Sequence, residues 1–138
     1  GAPVGSALLG SNEDIEKAIR IRKIFGGGMR QAGFLAEAAS YAIDNHWEHL
    51  SEDHRKASEL KDCLETLNYI QRVEPVDTNI IIFKLIDSIE ENDFIKKLDA
   101  LGIRFISMGQ GKLRMVTHRD YSQLQHEYVL DIIKALKF

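Results

Sequence analysis

The sequence predicts an α/β (α+β) domain in which a helical first half is followed by a small, largely antiparallel sheet with helices on one face. Two observations lead to this prediction. Apolar residues recur at helical spacing up to about residue 67, and beyond it short segments take on the composition and period of strands. The elements of the second half follow the order ββαββα, which favours a layer of helices packed on one side of a sheet.

The first half is predicted to contain one short strand and three helices. Val4–Leu9 has the composition of a short buried strand, and Ser11 with the acidic residues after it resembles a helix N-terminus. The glycines Gly26–Gly28 end that helix, and a second runs to about Asn45. A third is expected to begin with Ser51 as its N-cap. The apolar positions at helical spacing are Phe34, Leu35, Ala38, Ala39, Ala42 and Ile43 on the second helix, and Ala57, Leu60, Leu64 and Leu67 on the third.

The second half is predicted to begin with two strands and a helix. Ile70–Glu74 and Asn79–Ile86 have the composition of strands joined by a turn. Ser88 and Glu91 have the spacing of a capping box for the helix that follows, and Gly102 is placed as the C-terminal stop of that helix.

A second pair of strands and a last helix complete the predicted fold. The strands are Ile103–Ser107 and Lys112–Thr117, joined through the glycine-containing segment 109–111. The last helix is expected to start near Asp120 and to use the apolar positions Leu124, Tyr128, Ile132 and Leu136.

Composition excludes several classes of protein. The 138 residues carry a formal net charge of −3, and neither end concentrates basic residues, which argues against nucleic-acid binding. The longest apolar run is the four residues Ile80–Phe83, far too short for a membrane span. A single cysteine, Cys63, excludes an intrachain disulfide and fits a reduced cytoplasmic setting. The chain opens without an initiator methionine or a signal peptide, so a trimmed chain or a fragment of a longer protein is expected.

Basic residues bracket the glycine run Gly26–Gly28. Lys23 precedes it and Arg30 follows it. Free glycine N–H groups ahead of a new helix N-terminus can receive an anion such as phosphate, and the two cations can add to that site. The alternative is a flexible turn between helices with two solvated basic side chains, and the residues alone leave both open.

A second candidate is Arg114, which lies among apolar residues of a predicted strand. Strand alternation places Leu113, Met115 and Thr117 on one face, and Lys112, Arg114 and Val116 on the other. A planar guanidinium in this setting is either a surface group or a fork for a carboxylate.

Metal and nucleophile sites find no support in the sequence. His46 and His49 are three residues apart, but no third ligand at suitable spacing completes a metal site. No nucleophile elbow occurs, and Cys63 falls on an apolar helix face.

Three stretches form a combination that is specific when they are taken together. They are G-A-P-V-G-S at residues 1–6, R-K-x-x-G-G-G-M-R-Q-x-G at residues 22–33, and L-R-x-V-T-H-x-D at residues 113–120. Asp53-His54 and Thr78-Asn79-Ile80 lie between them in the expected order. Over its whole length the sequence resembles the threonine aldolase family of pyridoxal-phosphate enzymes.

The resemblance implies roles for individual residues. Arg114 matches the arginine that holds the carboxylate of the amino-acid substrate. Lys23 and Arg30 match basic residues that bind the phosphate of pyridoxal 5'-phosphate in the site of a neighbouring subunit. His118 and Asp120 match family positions and are expected to be structural. The family's catalytic lysine, which holds the cofactor covalently, lies before residue 1, so the isolated chain is expected to be inactive.

The resemblance also implies a fold, an activity and an assembly. Residues 1–30 would end the large cofactor domain, and residues 31–138 would form the C-terminal small domain of a fold-type I, aspartate-aminotransferase-like enzyme. The parent protein is expected to be a homo-oligomer, a dimer or a tetramer, that cleaves L-threonine or L-allo-threonine to glycine and acetaldehyde. The alternatives are another pyridoxal-phosphate β-eliminating lyase and a non-catalytic binding module.

Overall fold

The computed structural model describes residues 1–138, which form two compact units, Gly1–Glu48 and His49–Phe138. The first unit contains α1 (Asn12–Ile24) and α2 (Gly33–His46). The second contains α3 (Leu50–Glu65), β1 (Ile70–Val73), β2 (Ile80–Leu85), α4 (Glu91–Asp99), β3 (Ile106–Gly109), β4 (Lys112–Val116) and α5 (Gln123–Ala135). No helix combines the length and the apolar composition that a membrane crossing requires.

The first unit consists of helices with no buried side chain. α1 begins as predicted, because the Ser11 hydroxyl accepts a hydrogen bond from the Asp14 N–H. The predicted strand over Val4–Leu9 is wrong: the segment forms no β-ladder, and the apolar side chains at both of its ends are exposed. A strand needs a hydrogen-bonding partner, and every strand pairing in this chain lies within residues 70–116.

The second unit contains one four-stranded sheet of order β1-β2-β4-β3, antiparallel throughout. This confirms the predicted antiparallel sheet. β2 and β4 are the central strands, and they pair over five residues from Ile80↔Val116 to Lys84↔Lys112. β3 and β1 are the edges, and each carries an irregularity in its register.

The core lies on one face of this sheet. Alternate residues of the two central strands are buried, among them Phe83 and Leu113, and the helices of the unit supply the rest. The opposite face carries no helix of this unit. The buried apolar residues are Ala57, Leu60, Cys63, Leu64, Tyr69, Ile81, Phe83, Leu85, Phe94, Leu98, Ile103, Leu113, Met115, Val129 and Ile133. The predicted placement of helices on one face is therefore confirmed.

Helix ends differ from the sequence prediction at three places. α3 begins at Leu50 after a short 3₁₀ turn, so Ser51 lies inside the helix and is not its N-cap. α4 begins at Glu91 without a side-chain cap, so the predicted capping box is wrong. α5 begins at Gln123, three residues beyond the predicted start, and Ser122 is its N-cap. Ser122 forms a capping box with Gln125.

The C-terminal stop of α4 is confirmed. Gly102 has a φ of +78°, a left-handed conformation that glycine adopts without strain. Its N–H donates to the Asp99 carbonyl, and the Ile103 N–H donates to the Leu98 carbonyl. This is the Schellman pattern that ends helices in a glycine.

Candidate functional site

Arg114 lies in the middle of the sheet face opposite the core, which we call the open face. It occupies the third position of β4, and the buried residues Leu113 and Met115 on either side of it point into the core. Its cross-strand partners are Ile82 on β2 and Ile106 on β3. Directly paired residues on one face of a sheet have their Cβ atoms about 4.5–5.5 Å apart, so two isoleucines flank the arginine.

The other basic side chains of this face are neutralised by carboxylates. Arg72 forms an ion pair with Glu74, and Lys112 Nζ lies 3.6 Å from Oε1 of the same carboxylate. Lys84 Nζ lies 3.2 Å from Asp87 Oδ1. The Arg114 side chain forms no ion pair and no hydrogen bond within the chain. It is therefore the basic group on this face that has no carboxylate partner in the chain.

The Arg114 guanidinium also contains a buried donor without a partner. Its Nε atom is inaccessible to solvent and has no hydrogen-bond acceptor in the chain. A buried, unsatisfied donor is unfavourable by about 1–3 kcal/mol, and more when the group is charged. A carboxylate accepts two parallel hydrogen bonds from a guanidinium, and a ligand would take them from the terminal nitrogens of Arg114, because Nε is closed to solvent. The geometry fits an anionic, planar ligand group at this position.

The glycine turn of the first unit was predicted to offer free N–H groups to an anion. Two of its three glycine N–H groups are already used: Gly26 donates to the Lys23 carbonyl at 3.0 Å, and Gly27 donates to the Arg22 carbonyl at 2.7 Å. α2 begins only at Gly33. Fewer glycine N–H groups than predicted are therefore available to an anion. Any anion binding at this turn would depend more on the side-chain cations.

The turn brings the Lys23 ammonium group against Gly28. A Cβ atom added to Gly28 would lie 3.2 Å from Lys23 Nζ, so the missing side chain leaves space that the lysine occupies. Arg30 lies two residues further along, exposed and without an ion pair. Lys23 and Arg30 belong to the first unit and Arg114 to the second.

Two residues near the candidate site have roles that sequence reasoning assigned differently or left open. His118 Nδ1 accepts a hydrogen bond from the Asp120 N–H at 3.3 Å, so it stabilises the turn after β4, in line with a structural role. Glu91 was assigned to a capping box, and it instead contacts the hairpin that leads into β4. No sequence signal pointed to that contact, because it joins residues about twenty positions apart.

Comparison with known proteins gives the family. The model of the beta-eliminating lyase family matches residues 1–88. A probable low-specificity L-threonine aldolase 2 from Arabidopsis thaliana is 39% identical over 99% of the chain, and a low-specificity L-threonine aldolase from Escherichia coli is 36% identical over 91%. The chain spans 39% and 36% of the length of these two proteins.

Solved structures show the same fold. An ornithine aminotransferase from Toxoplasma gondii superposes with a TM-score of 0.59 at 21% identity, over 72% of this chain and 25% of its own. The cystine C-S lyase C-DES superposes with a TM-score of 0.59 at 14% identity, over 78% of this chain and 29% of its own. The likenesses to solved structures show the fold, and the family model, which matches more than half of the chain, shows that the chain belongs to the beta-eliminating lyase family.

Proposed function

We propose that the chain is the C-terminal part of a pyridoxal-phosphate-dependent threonine aldolase that cleaves L-threonine or L-allo-threonine to glycine and acetaldehyde. The observation that carries the proposal is the state of Arg114. Its charge is unpaired, its Nε lacks an acceptor, and every other basic group of the same face has a carboxylate. The named relatives act on L-threonine, an amino acid whose carboxylate fits such a group.

The residues of this chain hold the substrate while a carbon–carbon bond breaks. The Cα–Cβ bond of threonine is cleaved, the β-hydroxyl loses its proton as acetaldehyde forms, and Cα receives a proton to give glycine. A bound cofactor would supply a conjugated ring able to take up the electron pair of the broken bond. Arg114 fixes the carboxylate by two parallel hydrogen bonds, and this fixes the direction of the Cα–Cβ bond.

Lys23 and Arg30 are proposed to bind the cofactor phosphate. Two cations separated by the glycine turn offer charge-assisted donors, and Lys23 Nζ already lies over the backbone at Gly28. We propose further that they act in the site of a neighbouring subunit, so that a homo-oligomer is needed for a complete site. Residues 1–30 would then belong to the large cofactor domain, and residues 31–138 to the small domain.

The lysine that holds the cofactor covalently is proposed to come from residues preceding this chain in the longer protein. The relatives extend well beyond the region that the chain matches, because it spans only 39% of the Arabidopsis protein. On this proposal the chain supplies anchoring groups for substrate and phosphate, and it is inactive by itself.

An assay of the longer protein that contains this chain tests the function. Purified protein supplied with pyridoxal phosphate and L-threonine or L-allo-threonine should release equal amounts of glycine and acetaldehyde. The family match also favours a second candidate, β-elimination from another amino acid. Release of ammonia from such amino acids without acetaldehyde from either threonine would support elimination instead. A protein that does not bind the cofactor would be a non-catalytic module.

A further inference from the structure

Glu91 holds the β3–β4 hairpin to the start of α4. It is the first residue of the helix, and its two carboxylate oxygens reach the hairpin separately. Oε1 accepts a hydrogen bond from the Ser107 hydroxyl, and Oε2 accepts one from the Gly111 N–H at 2.8 Å. Ser107 Oγ in turn accepts a hydrogen bond from the Gly109 N–H at 3.1 Å. One carboxylate thus fastens both sides of the hairpin turn.

The hairpin needs such a contact because little else stabilises its turn and its outer strand. Gly109, Gln110 and Gly111 have φ values of +79°, +56° and +74°, and this backbone region is unfavourable for the non-glycine residue Gln110. The register of β3 on β4 is irregular between Ser107 and Gly109. No residue of β3 is buried, so apolar packing does not hold this edge strand in place.

The fastened strand borders the candidate carboxylate site. Ile106 precedes Ser107 directly and is the cross-strand partner of Arg114. Any loosening of β3 therefore removes one of the two isoleucines that flank the guanidinium.

We propose that Glu91 is a positioning residue for Arg114, which it orients through the β3–β4 hairpin so that the guanidinium is preorganised for a substrate carboxylate. The proposal rests on the proposed function of Arg114. A carboxylate is required because both of its oxygens act as acceptors. Glutamine would keep at most one of the two bonds and would place an N–H₂ group against a donor.

The contact can be tested in the 138-residue chain by amide hydrogen exchange. Glu91→Ala should speed exchange at the Gly109 and Gly111 amides by about tenfold or more, because opening of the hairpin no longer breaks a charge-assisted bond. Amides of the central strand β2 should keep their wild-type rates, except that of Leu85, which donates to the Gly111 carbonyl at 3.1 Å. The matched control is Glu90→Ala. It removes a carboxylate from the same helix end, and the Glu90 side chain makes no hydrogen bond to the hairpin.

The consequence for binding is tested in the full-length enzyme. Glu91→Ala should raise KM for the amino acid at least about threefold, with kcat and cofactor content near wild type, because misplaced positioning groups weaken binding. Glu91→Gln should fall between wild type and the alanine variant, and Glu90→Ala should match wild type.

Two results would overturn the positioning role. One is wild-type exchange at Gly109 and Gly111 in Glu91→Ala. The other is a loosened hairpin with unchanged KM, in an enzyme where Arg114→Ala does raise KM. If Arg114→Ala itself leaves kcat/KM near wild type, the assignment of Arg114 as the carboxylate anchor fails and the positioning role fails with it, whatever the exchange rates show.

Discussion

His126 Nε2 lies 2.8 Å from Glu59 Oε2, and this contact joins α5 to α3 at a histidine that is 0% exposed. The other ring nitrogen, Nδ1, lies 3.3 Å from the Tyr121 hydroxyl. Burial raises the pKa of Tyr121 to about 12, so this hydroxyl stays protonated and can donate. Both ring nitrogens of this buried histidine therefore have a hydrogen-bonding partner, one on α3 and one at Tyr121.

Glu59 is predicted to make the fold sensitive to acid. Its hydrogen bond with His126, and then that with Arg55, lower its pKa below the ordinary value of 4.5. Because the folded pKa is depressed, the stabilisation is fully present at neutral pH and is lost as the pH falls below that value. Glu59→Gln should therefore flatten the acid limb of unfolding free energy against pH, measured by urea denaturation. Glu127→Gln on α5 is the control, and equal acid limbs for wild type and Glu59→Gln would contradict the prediction.

The buried face of α5 gives a stability prediction. Ile133 is 1% exposed, whereas Leu124, which the apolar pattern favoured, is 79% exposed. Ile133→Ala should destabilise the chain by about 2–5 kcal/mol, because it leaves a cavity in the core. Leu124→Ala should change stability by less than about 0.5 kcal/mol. Thermal and urea unfolding of the two variants measure the difference, and comparable losses would show that the helix packs on another face.

Local patterns predicted the parts of the fold that depend on local geometry. Strand alternation correctly placed Leu113 and Met115 on one face and Arg114 on the other, because successive side chains of a strand point to opposite faces. The inner face of α5 was predicted only in part: Ile132 and Leu136 pack against the core, whereas Leu124 and Tyr128 are exposed, because the helix has two apolar stripes. The buried residues of the helix are His126, Val129 and Ile133. Packing against α3 helps to determine which stripe is buried, and the sequence of α5 contains no information about that neighbour.

The candidate site shows the same division. The sequence identified Arg114, Lys23 and Arg30 as candidates, largely through family resemblance. It did not show that Arg114 lacks a partner while Arg72, Lys84 and Lys112 have one, because those pairings depend on sheet register. The spacing of Ser88 and Glu91 satisfied the capping-box pattern, yet the Glu91 carboxylate accepts a hydrogen bond from Gly111 of a distant hairpin instead.

The isolated chain should form no specific adduct with pyridoxal phosphate, since the lysine that holds the cofactor is proposed to lie upstream. Titration with pyridoxal phosphate, followed by its absorbance spectrum and borohydride reduction, should yield only sparse, scattered lysine modification. Lys23→Ala in the same chain provides the comparison. A stoichiometric band that disappears when one particular lysine is replaced would contradict the prediction.

Arg30 is predicted to act across the subunit interface. Mixed dimers are formed from one full-length subunit that lacks the cofactor lysine and another with Arg30→Ala. If the arginine acts in the partner's site, both defects fall on one site, and the mixed dimer should recover about half the wild-type activity. If it acts within its own subunit, every site is defective. No recovery despite confirmed mixing would rule out action across the interface.

The assignment of Arg114 as the group that binds the substrate carboxylate is tested most directly by the kinetics of the full-length enzyme. Arg114→Ala should reduce kcat/KM for threonine at least about tenfold with normal cofactor content, because a charge-assisted partner is lost. Arg114→Lys should recover only part of the lost kcat/KM, since an ammonium group keeps the charge but lacks the planar fork. Arg72→Ala, on the same face but paired with Glu74, should stay near wild type. Near-wild-type kcat/KM for Arg114→Ala would contradict the assignment and return Arg114 to the role of an ordinary surface residue.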